Sequence, residues 1–251
     1  PLAMLGITAC SPEQLLQVEY PTEIQIQSLN DVKLLAVQLN GVEDQFYTAY
    51  TSNLIQYSNY LTDEILSGLN WEDYARASQR IASYLEGPTE GLYEQLQRGL
   101  RMGHDLAERI RVWETEYPSR NFKTELATSL ILAGYSATAL AETMCQSVIS
   151  PDPNDPSSEV LSQVQTFEVA VPYLTEGLSV AQAAGNSNLA NLARTGLARA
   201  YLGQGKWTEA ANAASQVPSS FKWWISFTDI EGGRNPMHGT SHGGNFNTGI
   251  H

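Results

Sequence analysis

Residues 188–217, NLANLARTGLARAYLGQGKWTEAANAASQV, constrain the fold more than any other stretch of the chain. Leu189, Leu192, Ala193, Gly196, Leu197, Ala200 and Tyr201 recur at steps of three and four, the spacing of one helix face. Gly203-Gln204-Gly205-Lys206 breaks that helix. A second stripe follows at Trp207, Ala210, Ala211, Ala214 and Val217, and Pro218 stops it. Two short, alanine-rich helices approach closely but bury little surface by themselves. They are stable only with neighbours on both sides, which is the logic of a stacked helical array.

The preceding sequence supplies such neighbours. Val32, Leu35, Leu39, Val42, Phe46 and Ala49 give one apolar face, with Ser28 or Asn30 as its cap. Leu92, Leu96, Leu100, Leu106, Ile110 and Trp113 predict a helix over 89–115, with Thr89 as N-cap and Pro118 as stop. Phe122, Leu126, Leu130, Ala133, Ala137, Leu140 and Met144 predict another over 121–146. Cys145 lies beside that face and reads as a small buried hydrophobe. Val160, Val164, Phe167, Val171, Leu174, Leu178 and Ala181 mark a third, closed by Gly185-Asn186. Pro172 lacks an N–H and clashes with the carbonyl of Glu168, so a kink or break is expected there. The expected fold is all-α: a divergent helical array with a short extended or loop segment at its C-terminal end.

Charge narrows the function classes. Acidic residues outnumber basic ones 27 to 14, for a net charge of −13. Phosphate binding needs a basic face, so nucleic acid is excluded as a partner. No apolar run after the N-terminus reaches the length of a membrane span. The two cysteines, Cys10 and Cys145, are too few for a disulfide framework.

The candidate chemical sites are sparse. Asp63 and Glu64 are adjacent, but neighbours on a helix point in different directions, so a solvated turn or cap is expected. In the loop 149–158, Asp152, Asn154 and Asp155 do not match a Ca²⁺ hand. His238 and His242 stand four apart, with His251 beyond, yet the surrounding glycines and Pro236 argue against a metal-binding helix. No metal and no cofactor is expected. A hydrolase reading built on Asp63, Glu64 or the histidines lacks a nucleophile motif, a metal motif and a phosphate loop. Ser219–Ile230 alternates aromatic and polar residues and predicts a strand, on which Trp223 and Trp224 face opposite sides. A structural role for both is the favoured reading; the alternative is that one indole stacks on a sugar ring while the other packs inward.

Pro1–Ala9 is apolar and small, and ends in Ile7-Thr8-Ala9-Cys10. This resembles the tail of a bacterial signal peptide with a lipobox, in which Cys10 is acylated; a buried cysteine in an N-terminal strand is the competing reading. Ser11 is compatible with outer-membrane sorting. Residues 11–27, with Pro12 and Pro21, read as a tether. Leu197-Ala198, Ala200-Tyr201, Gly205, Trp207 and Glu209-Ala210 resemble a tetratricopeptide repeat.

Taken in order, Cys10, Leu61-Thr62-Asp63-Glu64, AGYSATALAETMC (133–145) and 181–218 resemble the N-terminal half of a SusD/RagB-like outer-membrane lipoprotein, over about residues 10–225. Members of that family are usually longer, so much of the ligand-binding surface is expected beyond this stretch. The resemblance implies a non-enzymatic, lipid-anchored protein of the outer membrane, facing the cell exterior. It implies capture of a nutrient such as an oligosaccharide and delivery to a TonB-dependent, SusC-type barrel. Trp71, Tyr74 and Trp224 are the candidate ligand-stacking residues. The implied organisation is a signal tail with lipobox (1–10), a tether and first helices (11–88), a tetratricopeptide-like layer (89–218), and a strand or loop segment (219–251) that opens a ligand-binding region. The alternative is a tetratricopeptide-like lipoprotein scaffold for protein partners.

Overall fold

The computed structural model describes residues 26–67, 72–81, 87–149, 159–227 and 248–250. The chain divides into two compact units, Pro1–Leu35 and Ala36–His251. The described part of the first is a pair of 3-10 turns, Ile26–Asn30 and Val32–Leu34. Asp31 caps the second turn by accepting the Lys33 N–H at 2.9 Å. Cys10, Pro12, Pro21, Trp71, the acidic loop at Asp152, Asn154 and Asp155, and the histidines His238, His242 and His251 lie outside the described residues.

The second unit is all-α. Helix α1 (Leu35–Thr48) runs into a turn of π-helix (Ala49–Leu54) and then α2 (Ile55–Leu61). After strand β1 (Ile65–Ser67) come α3 (Glu72–Ser78), α4 (Gly87–Glu116) and α5 (Lys123–Thr143). Strands β2 (Gln146–Val148) and β3 (Val160–Ser162) precede α6 (Gln163–Ala183), α7 (Ser187–Gly203) and α8 (Trp207–Ser215). A last strand, β4 (Thr248–Ile250), returns to pair antiparallel with β1, Ile65 opposite Ile250. Among the described residues, no helix is long and apolar enough to cross a membrane.

Helix α5 is the centre. Every residue from Leu126 to Ala141 is buried, so it has no solvent face, where the periodicity predicts one buried side only. Helices α4, α6 and α7 all pack on it. Enclosure on all sides requires small residues and satisfied hydroxyls. Thr128, Ser129 and Thr138 each donate to the carbonyl four residues back, at 2.9 Å, which removes the cost of burying them. Gly103 of α4 sits where an added Cβ would lie 2.8 Å from the Ser129 carbonyl oxygen and 3.0 Å from the Ala133 Cβ.

Successive helices are turned sharply. Gly185 takes φ +68° and Gly205 φ +72°, a region that disfavours any Cβ. The Asn186 N–H reaches the Ala181 carbonyl and the Lys206 N–H the Tyr201 carbonyl, each at 2.9 Å, as in a Schellman C-cap. Asn186 then caps α7 by accepting the Leu189 N–H at 3.1 Å.

Several expectations are corrected. Helix α6 runs unbroken through Pro172. Pro172 and Glu168 are both exposed, so the ring sits outside the core and the freed carbonyl meets water. Cys145 is exposed, because α5 ends at Thr143 and the chain is already extending into β2. Val160 lies in β3, and α6 opens with a Ser162–Gln165 capping box. Thr89 falls inside the first turn of α4, where its hydroxyl donates to Tyr57 Oη at 3.2 Å. On α8 the buried positions are Ala210 and Ala213, while Trp207 is 68% exposed. Asp63 and Glu64, by contrast, lie in a turn as expected, just before β1, and Asp63, at φ 63°, pairs with Arg80. Residues 221–227 have no ladder partner among the described residues, yet their burial alternates as the strand pattern requires.

Gly103→Val should lower stability by about 2 kcal/mol, because a backbone carbonyl cannot move aside as a flexible side chain can. Gly91→Ala on the same helix meets nothing closer than 3.8 Å and should raise stability by up to about 1 kcal/mol through helix propensity. Urea denaturation of the two variants checks the contrast.

Candidate functional site

Three aromatic side chains leave the end of α1 together. Phe46, Tyr47 and Tyr50 stand at i, i+1 and i+4, one side of a helix, and the π turn carries that side past Thr48. The Phe46 ring centroid is 5.8 Å from Tyr47 and 5.6 Å from Tyr50. Tyr135, from the middle of α5, meets Phe46 edge-on at 6.0 Å. Helix α7 adds Leu192, Thr195 and Arg199. The segment after α8 adds Phe221, Trp223 and Ile225 from its inward positions. With Leu132 these residues line a cavity of about 300 Å³.

The polar groups of this cavity are fixed. Tyr135 Oη donates to the Leu192 carbonyl at 2.9 Å. Trp223 Nε1–H donates to Tyr47 Oη at 3.3 Å. Arg199 grips Glu142 with two bonds, Nε to Oε1 at 3.1 Å and Nη2 to Oε2 at 2.5 Å. Its guanidinium lies 5.9 Å from the Tyr50 ring and 5.7 Å from the Tyr135 ring, within cation–π range. Burial alone would lower the Arg199 pKa; the Glu142 hydrogen bonds and charge, with Tyr50 and Tyr135, turn the shift upward, so it stays charged. Burial also pushes the Tyr47 phenol up, against the Trp223 hydrogen bond and with the Glu43 charge.

Such a lining offers flat apolar faces and a few fixed hydrogen-bonding groups. Among the described residues, its lining contains no cysteine, histidine or carboxylate. Among the described residues no group of three or more His, Cys, Asp or Glu is placed to hold a metal ion. The described lining is suited to stacking and hydrogen bonding.

The residues marked from sequence are dispersed. Trp71 is outside the described residues. Tyr74 is half-buried, its ring 5.5 Å from Tyr60, and it lines a separate cavity of about 360 Å³ with Asn53, Glu72, Asp73, Gly87 and Pro88. Trp224 is 75% exposed, with Lys222 Nζ 5.8 Å from its ring, and it is not part of either lining. The indole inside the aromatic cavity is its neighbour, Trp223. Sequence reasoning read Phe46 as core and passed over Tyr47, Tyr50, Tyr135 and Arg199. The i, i+1, i+4 aromatic spacing at 46–50 was the local signal for the first three rings; nothing local connects them to Tyr135 or Arg199.

No protein-family model matches the chain, and no curated protein matches it. The structure is similar to the crystal structure of a SusD superfamily protein from Bacteroides vulgatus ATCC 8482, with a TM-score of 0.56 at 16% sequence identity. The fold is SusD-like. The likeness covers 74% of this chain and 44% of that one, so the SusD-like chain spans less than half the length of the solved structure it matches.

Burial holds the Tyr135 phenol above its ordinary value of 10.0; the charges of Tyr50 and Glu142 add to this, and Arg199 opposes it. The folded protein therefore keeps this proton after the unfolded chain has lost it. The stabilisation is fully present below pH 10.0 and declines as pH rises past that value. Tyr135→Phe should cost about 1 kcal/mol at neutral pH, through the lost bond to Leu192, and should flatten the alkaline decline. Urea denaturation at stepped pH measures both.

Proposed function

We propose that this SusD-like chain is a cell-surface lipoprotein that captures a nutrient, an oligosaccharide by preference, and delivers it to a TonB-dependent outer-membrane barrel without cleaving it. The observation that carries the reading is an aromatic cavity, with no carboxylate among its described lining residues, set in a SusD-like fold. Sugar rings offer C–H faces that stack on Tyr and Trp, while their hydroxyls take up hydrogen bonds at the rim. Acylation at Cys10 would hold the protein at the outer membrane, facing outward.

A docking role for the helical layer draws support from its last pair. Leu202 is 53% exposed and Trp207 68% exposed at the turn between α7 and α8. Exposed aromatic and aliphatic side chains of this kind are common anchors in protein interfaces. The same feature favours the second reading, a lipoprotein scaffold for protein partners, which predicts protein binding and no glycan affinity.

Isothermal titration against a glycan panel separates the two readings. Trp223→Ala should weaken binding of a recognised oligosaccharide by roughly tenfold, and Trp224→Ala by much less. Expressed from its natural precursor, the protein should fractionate with membranes and co-purify with a large barrel, and Cys10→Ala should release it. Absence of glycan binding together with capture of other proteins would favour the scaffold; turnover of an oligosaccharide would overturn both.

A further inference from the structure

Among the described residues, Arg199 is the one charged side chain that lines the aromatic cavity. An exposed guanidinium in such a place would draw acidic ligands, since its charge acts at short range beside low-dielectric rings. Here it is engaged on two of its nitrogens by Glu142, a residue of the last turn of α5 that is not itself part of the lining. The pair is only part-exposed, at 31% and 32% of the side-chain surfaces, so solvent screens it incompletely. Glu43, whose charge reaches Tyr47 in the same lining, adds a second negative influence. The Arg199 Nη1 has no hydrogen-bond partner among the described residues and is left to donate to an uncharged oxygen.

We infer that Glu142 sets the charge selectivity of this cavity: by cancelling Arg199 it makes the site one for neutral sugars and closes it to uronic acids. The inference rests on the nutrient-capture reading and adds the class of sugar. Glu142 acts through Arg199 and is a positioning residue, also holding the guanidinium plane between the Tyr50 and Tyr135 rings. Replacing it with glutamine keeps the shape and a hydrogen-bonding oxygen but removes the charge.

The test is calorimetric titration with maltotriose, cellotriose and xylotriose as neutral probes and trigalacturonate and trimannuronate as acidic ones. The natural protein should bind at least one neutral probe and neither acid. Glu142→Gln should strengthen binding of an acidic probe roughly tenfold, with neutral binding changed by less than about threefold. That gain should fall as salt is raised and vanish when Arg199→Gln is added. Acid binding unchanged in Glu142→Gln, or neutral and acidic binding falling together, overturns the inference while leaving nutrient capture standing. Should Glu142→Gln not fold, the natural protein still decides: salt-sensitive binding of either acid overturns the inference, and rejection of both acids at low salt beside binding of a neutral probe supports it. Failure of every glycan in a wide panel would instead remove the nutrient reading and this inference with it.

Discussion

The structure depends on one helix having no outside. Helix α5 is covered on every face, and a fully enclosed helix must meet its neighbours at short range with few orphaned polar groups. Its composition meets both demands but for the Ser136 hydroxyl, which is buried with no hydrogen-bond partner among the described residues. Alanine and glycine admit the flanking helices, and the hydroxyls of Thr128, Ser129 and Thr138 fold back onto its own carbonyls. The flanking helices return the same favour: Gly103 allows α4 to rest on the Ser129 carbonyl, and Gly177 allows α6 to lie against Ile131. The result is a layer whose geometry tolerates little change in side-chain volume at its seams.

That enclosure also makes the aromatic cavity. Tyr135 is the largest side chain to leave the buried middle of α5 on the side of α1 and α7, and its hydroxyl is tied to the α7 backbone. Around this fixed ring gather the aromatics of the α1 end, the Arg199–Glu142 pair and the inward side chains of 221–225. The site is therefore built on rigid helices at one wall and on an extended segment at the other. The hydrogen bond from Trp223 Nε1–H to Tyr47 Oη joins the two walls. A cavity of this construction is suited to recognising shape and hydrogen-bonding pattern.

The helical layer was legible in the sequence because each of its helices presents periodic apolar residues, and because glycines at 185 and 205 punctuate the turns where only a left-handed backbone fits. Readings failed where a tertiary fact overrode a local rule. Pro172 is accommodated because its turn of α6 faces water. Trp207 falls on the apolar stripe by its spacing, yet α8 buries Ala210 and Ala213, which leaves the indole outside. The short strands were not foreseen: three-residue pairs such as Gln146–Val148 with Val160–Ser162 carry too few residues for an alternation signal, and Tyr93 of α4, bonded to Val148 at both its N–H and its carbonyl, holds this one in place.

The sequence by itself determined that the chain is a stack of amphipathic, alanine-rich helices, because periodicity and punctuation are local properties of a few turns. It also set the net charge of −13. Only the tertiary structure decided which of two adjacent indoles faces inward, that Tyr47, Tyr50, Tyr135 and Trp223 share one cavity, and that Glu142 neutralises Arg199 across 57 residues of chain. Those are long-range facts. They follow from how closely α4, α6 and α7 settle around α5, and packing distance is written in pairs of residues far apart, where no single stretch can show it.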